Sequence, residues 1–243
     1  MIIKTNYRVL LTALWQNKKT NMKKTILAAV LGLFCVGASA QYRPTFIIQG
    51  GYQGANISNV KNSKIHHGFR VGVAADFEVY EDDAVALSIQ PGVNYVTKGV
   101  SAKEGKIKAT MSLNYVEVPV LVNARFDVAD DLNAFVNFGP YFAYGVGGKV
   151  SSSGEGVDAS VGFNPFKKKK FGDKEFSLAN AFDAGLQVGA GLEYSRFLVG
   201  VSAQYGLTNV YGKNGVEAMK DNLQDSSKGN SNIGFFATVG YRF

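Results

Sequence analysis

Two histidines, His66 and His67, are the only imidazoles in the chain. Ser58 and Ser63 lie close by in sequence. A base beside a hydroxyl is the arrangement that nucleophilic hydrolysis uses, but it also needs a third group to orient the base. No carboxylate stands at an orienting position here. Adjacent residues on a strand face opposite ways, so the two imidazoles make a poor metal pair. Cys35 is the single cysteine, and no zinc-binding spacing exists. Gly148-Lys149 is not a phosphate loop, because Val150 stands where Ser or Thr is needed and position 143 is Ala. No Gly-x-Ser-x-Gly elbow occurs either. No catalytic residue, metal site or cofactor is expected, and polar loop residues are the plain reading of both histidines.

Charged residues inside apolar runs carry more information. Arg70, Glu78, Glu117, Arg125, Glu193 and Arg242 all sit at alternate positions among apolar or small neighbours. Buried charges need partners of opposite sign. These six are therefore expected to form an ionic network. It would either fill an interior or gate one. A second charged feature is the run Lys167, Lys168, Lys169 and Lys170, flanked by Phe163, Phe166, Phe171 and Phe176. Such a run suits an anionic surface, a glycan or a partner protein, although Glu155, Asp158, Asp173 and Glu175 balance it nearby.

The elements that must hold these residues follow from the rest of the chain. It has 243 residues, is 46% apolar and 19% charged, and contains 28 Gly and 5 Pro. Disordered, collagen-like and disulfide-scaffold classes are excluded. The net charge of +7 suggests nucleic acid until the charges are located. Residues 1–40 hold six basic residues and no acidic one, which leaves 20 Lys and Arg against 19 Asp and Glu in the remainder. A nucleic-acid face is therefore not expected.

The N-terminal segment reads as a leader. Met22-Lys23-Lys24-Thr25 is a short positive start, and Ile26 to Val36 is an apolar run. Ala38-Ser39-Ala40 supplies the small-x-small pattern for cleavage between Ala40 and Gln41. Residues 1–21 then form an upstream extension or a long n-region, with Met22 as the expected start. Residues 22–40 form the signal peptide, and residues 41–243 the mature domain. Phe34 before Cys35 argues against a lipoprotein cysteine.

Residues 41–243 contain no second apolar run long enough for a spanning helix. They alternate instead with period two. Ile233, Phe235, Ala237, Val239, Tyr241 and Phe243 share one face, and the same split recurs at 69–79 and 182–194. Strict alternation of this length is a strand signal. Eight strands are predicted at 43–57, 66–80, 84–99, 111–127, 132–148, 182–194, 197–210 and 231–243. Short connections alternate with longer ones, and the one near 149–181 is longest. The expected fold is all-β: an eight-stranded antiparallel transmembrane β-barrel with short periplasmic turns and longer extracellular loops. Tyr80, Tyr95, Tyr144, Tyr194, Phe197, Tyr211 and Tyr241 are expected in interfacial girdles. Tyr241 and the terminal Phe243 fit an insertion signal. Pro91, Pro119 and Pro140 each remove a ladder donor, so bulges or bends are expected there.

Two short stretches carry a resemblance. Asn114-Tyr115-Val116-Glu117-Val118-Pro119-Val120-Leu121 resembles the Tyr-x-Glu-x-Pro strand of the small outer-membrane barrels of Bacteroidota, the PorT-like group. Phe138-Gly139-Pro140-Tyr141 is similar to that group's Gly-Pro-Tyr element, and the Gly-Tyr-Arg-Phe ending fits too. The resemblance implies an eight-stranded outer-membrane barrel. It does not select the branch tied to gliding and type IX secretion. The expected role is a monomeric, non-catalytic structural or surface-binding module. A porin-like small-solute channel and an outer-membrane lipid-modifying enzyme are the alternatives. Expected partners are outer-membrane lipid and lipopolysaccharide, the barrel-insertion machinery and a surface protein or glycan.

Overall fold

The computed structural model describes residues 44–60, 62–104, 107–154, 157–161, 165–166, 169–171, 174–177, 179–211 and 229–243. The leader, the upstream extension and the Ala40–Gln41 junction lie outside these residues.

Twelve strands are present among the described residues: β1 (Thr45–Ile57), β2 (Ser63–Lys64), β3 (His66–Asp82), β4 (Val85–Glu104), β5 (Ile107–Ala129), β6 (Leu132–Gly154), β7 (Val157–Val161), β8 (Lys169–Phe171), β9 (Lys174–Phe176), β10 (Phe182–Tyr194), β11 (Phe197–Gly206) and β12 (Asn232–Arg242). Eight of them close a ring in the order β1-β3-β4-β5-β6-β10-β11-β12. β12 returns to β1 with Ile47 opposite Arg242 and Ile57 opposite Asn232. The ring is antiparallel throughout. Closure leaves no unpaired edge, which a β-structure in lipid requires.

Period-two sequence becomes a two-sided wall. On β3, Phe69, Val71 and Val73 point out and are about half exposed, while Arg70 between them is buried. Val122, Phe138, Val188, Val199, Val201 and Val239 are likewise exposed. An apolar belt of this extent is at home against hydrocarbon rather than water. The inner face of the eight strands holds the polar residues.

The structure corrects four expectations. The connection at 100–110 is mostly strand: β4 runs to Glu104 and β5 starts at Ile107. β6 likewise continues to Gly154 and pairs with β7. About 9–11 residues cross a membrane, so these three strands, of 20, 23 and 23 residues, project well beyond it. β11 ends at Gly206, short of the expected 210. Of the bulges or bends expected at the prolines, no bulge occurs, because the register passes Pro91, Pro119 and Pro140 unshifted. Bulges fall instead at Glu78/Tyr80, Asn114/Tyr115 and Asp127/Ala129. Each proline loses a donor without an inserted residue, so no register change is needed. Finally, Tyr211 is no girdle residue, because it is buried at the extracellular mouth.

That mouth is capped. Ile57, Val96, Val100, Leu113, Tyr115 and Tyr141 from the wall form one apolar cluster with Val60, Ala179, Val210 and Tyr211 from the connections. Phe166 packs on it, with its ring centroid 5.3 Å from that of Tyr115. Gly145 leaves the space that the Phe166 ring occupies. Backbone bonds from Gly145 N–H to Ala181 O and from Ala179 N–H to Pro165 O hold the connection inward.

Candidate functional site

Beneath the cap, four charges cross the lumen. Arg70 Nη2 on β3 lies 2.5 Å from Glu117 Oε1 on β5. Lys98 Nζ on β4 lies 2.9 Å from Glu117 Oε2 and 3.3 Å from Asp183 Oδ2 on β10. None of the four side chains is more than 3% exposed. Two cations thus meet two carboxylates.

Neutral groups complete the brace. Gln204 Nε2 on β11 donates to Glu117 Oε1 at 2.8 Å and to Gln187 Oε1 at 2.9 Å. Arg70 Nε donates to Gln53 Oε1 on β1. Asp183 accepts from Thr208, from Asn232 on β12 and from Tyr141 on β6. Arg70 stacks over Phe236 at 3.8 Å, and Lys98 lies 4.2 Å from the centre of the Tyr141 ring. All eight ring strands therefore contribute a side chain. In a narrow barrel, side chains fill the interior, and here they fill it with matched charge.

A second cluster closes the periplasmic end. Arg242 Nε donates to Glu193 Oε1 at 2.7 Å, and its Nη2 donates to Glu193 Oε2 at 3.0 Å. This is the bidentate fork geometry that makes Arg–carboxylate pairs strong. Arg242 Nη1 bonds Asp76 and also Thr45 Oγ1. The third pair, Arg125 Nη2 to Glu78 Oε2, is longer at 3.4 Å and partly exposed. Between brace and periplasmic cluster lies a cavity of about 50 Å³, lined in part by Gln49, Gln90, Asn123 and Asn137.

The six residues expected to form one network thus resolve into three separate opposite-charge pairs. Lys98, Asp76 and Asp183 join two of them and were not among the six. Alternation from Asn94 through Val96 places Lys98 on the inner face, and that was the available signal. His66 is buried, with Nε2 3.3 Å from Ser112 Oγ, rather than paired with Ser58 or Ser63. This contact crosses β4, where Ser112's register partner is Gly99, which has no side chain to intervene. Gly99 has φ +152°, a region that favours glycine. His67 is exposed and its Nδ1 lies 2.6 Å from the Tyr52 hydroxyl. Lys167 and Lys168 lie outside the described residues. Lys169 and Lys170 stand on β8, opposite Phe176 and Glu175 of β9. Tyr241 stacks edge-on between Phe197 and Phe243. Phe243 N–H donates to Phe46 O, tying the last residue to β1.

Residues 36–212 match the family described as outer membrane protein beta-barrel domain. The chain belongs to that family. A barrel of this family sits in the outer membrane, and the apolar belt is its lipid-facing surface. No relative was found among curated proteins. Solved barrels resemble it at low identity. The attachment invasion locus protein Ail of Yersinia pestis is 14% identical, with 83% of this chain and 99% of that chain covered and a TM-score of 0.33. The outer membrane enzyme PagL is 13% identical, with 80% and 98% covered and a TM-score of 0.44. Neisserial surface protein A is 14% identical, with 82% and 97% covered and a TM-score of 0.39.

Proposed function

We propose that this outer-membrane barrel is a closed, monomeric anchor that acts as a structural or surface-binding module and has no catalytic activity. The observation that carries this reading is the chain Arg70–Glu117–Lys98–Asp183 across the lumen, buried and charge-matched. A solute pathway would have to break three ion contacts inside a low-dielectric wall. Breaking a buried pair leaves an uncompensated charge. The apolar cap lies over the same axis.

The motifs Tyr115-x-Glu117-x-Pro119 and Gly139-Pro140-Tyr141 support placing the chain in the PorT-like group of Bacteroidota. They also have a physical reading: Glu117 and Tyr141 are both brace residues. Against catalysis stands the setting of the imidazoles. Among the described residues, no carboxylate hydrogen-bonds His66 or His67, so neither has the orienting acid that a hydrolytic base needs. Lipopolysaccharide, the insertion machinery and a surface protein or glycan are the proposed partners.

Liposome swelling tests the reading. Vesicles carrying the folded protein should shrink and recover in glucose or glycine at the rate of empty vesicles. Swelling faster than empty vesicles would contradict a closed lumen and support the channel alternative.

A further inference from the structure

The outer wall changes character above its aromatic ring. Tyr52 and Phe69 are register partners, and Phe69 lies against Tyr95 with centroids 5.8 Å apart. Two register pairs further out, Gly54 faces His67, about 7 Å along the strand from the aromatic level. From there the wall bears an open groove of about 450 Å³, lined by Asn56, Ser63, Lys64, His67, Ser101 and Lys108. Ile65, exposed, adds one apolar contact.

This groove is built on strands. β2 holds Lys64 opposite Ser101 of β4, and Ser101 lies opposite Thr110 of β5. Asn56 Nδ2 donates to Ser63 Oγ at 3.2 Å, and the hydroxyls of Ser101 and Thr110 lie 3.2 Å apart. Lys149 stands opposite Ser112 on the neighbouring β6–β5 ladder. The groove's described lining holds two ammonium groups, an imidazole, an amide and two hydroxyls, and no carboxylate. The opposite rim is acidic, with Glu81, Asp82, Asp83, Asp130 and Asp131 all exposed.

We infer that this groove binds the phosphate of an outer-leaflet glycolipid. Two ammonium groups make charge-assisted hydrogen bonds to phosphate oxygens, and the hydroxyl and amide groups supply neutral ones. The level is that of lipid headgroups, directly above the aromatic girdle. Ile65 and Tyr52 favour a lipid-borne phosphate over free phosphate, because a free ion has no apolar part to place against them. The inference rests on the surface-binding reading, in which lipopolysaccharide is a proposed partner, and deepens it by naming the site; it does not depend on whether the lumen conducts.

The test measures binding of fluorescent bis-phosphorylated lipid A to the folded full chain in octyl glucoside micelles, which carry no phosphate. Dephosphorylated lipid A should bind far more weakly. Lys64→Gln and Lys108→Gln should each weaken binding of the phosphorylated form about fivefold, and together about 25-fold. The double substitution Lys64→Arg and Lys108→Arg should retain binding. Arg196→Gln at the opposite rim should leave binding unchanged. Heat-shifted gel mobility confirms folding, and the two lipid A forms can be compared on the unaltered protein whatever the variants do. Equal binding of both lipid A forms would overturn the inference, as would wild-type affinity in the double Gln variant. Displacement of lipid A by equimolar inorganic phosphate would overturn the assignment to a lipid.

Discussion

Arg70 and Glu117 meet across the lumen from strands that are not neighbours, with Nη2 and Oε1 2.5 Å apart and neither side chain more than 1% exposed. Glu117 also holds Lys98 at 2.9 Å, so one carboxylate serves two cations. Glu117→Gln would leave both cations partly uncompensated. Removing one partner of a buried ionic group costs about 3–5 kcal/mol. A urea titration of the folded barrel in micelles should show a loss of that size. A midpoint within error of the unaltered protein would mean the brace contributes nothing.

Arg242 shows the reverse stoichiometry, with one cation for two carboxylates. Glu193 takes the two-pronged contact, and Asp76 takes one further nitrogen. Asp76→Asn leaves a one-to-one pair and should cost less than Glu193→Gln, which removes the fork. Arg242→Met leaves two facing carboxylates and should cost most, about 3–5 kcal/mol. The same titration ranks the three variants.

The outward face answers to lipid. Val201 is 63% exposed on β11. On a protein surface in water, Val→Lys at such a site changes stability within about 0.5 kcal/mol. Facing hydrocarbon near mid-height, Val201→Lys should cost about 2–4 kcal/mol. Unfolding from lipid vesicles measures this directly.

The cap should loosen without the brace. Phe166 is half-buried, so Phe166→Ala should cost less than the roughly 3–5 kcal/mol of a fully buried ring. Amide exchange should quicken at Gly145 and Ala179, whose N–H groups hold the inward connection. Strand amides around Glu117 should keep their protection.

Much of this architecture was legible in period two. The strand faces follow from alternation, which is why Arg70, Glu117 and Arg242 could be assigned inward from sequence. The extensions of β4, β5 and β6 were not legible, because outside the membrane the outward face is polar too and the contrast between faces weakens. Runs such as Ser151-Ser152-Ser153 lose the contrast that marks a strand. Lys98 falls inside the expected strand 84–99, as its penultimate residue, and alternation alone would have placed it inward, yet it was left out of the six. The cap was hidden because Phe166 and Tyr211 lie in irregular connections, and a burial that depends on the folded-back path of a connection leaves no periodic trace. His66 met Ser112 rather than Ser63 because strand pairing, not sequence distance, sets neighbours.

Single-channel recording tests the closed lumen most directly. Folded protein, verified by heat-shifted mobility, is added to a planar bilayer under applied voltage. The buried chain Arg70–Glu117–Lys98–Asp183 predicts a flat baseline at protein densities where an open porin would give steps. Discrete, reproducible conductance steps from the unaltered protein would contradict it.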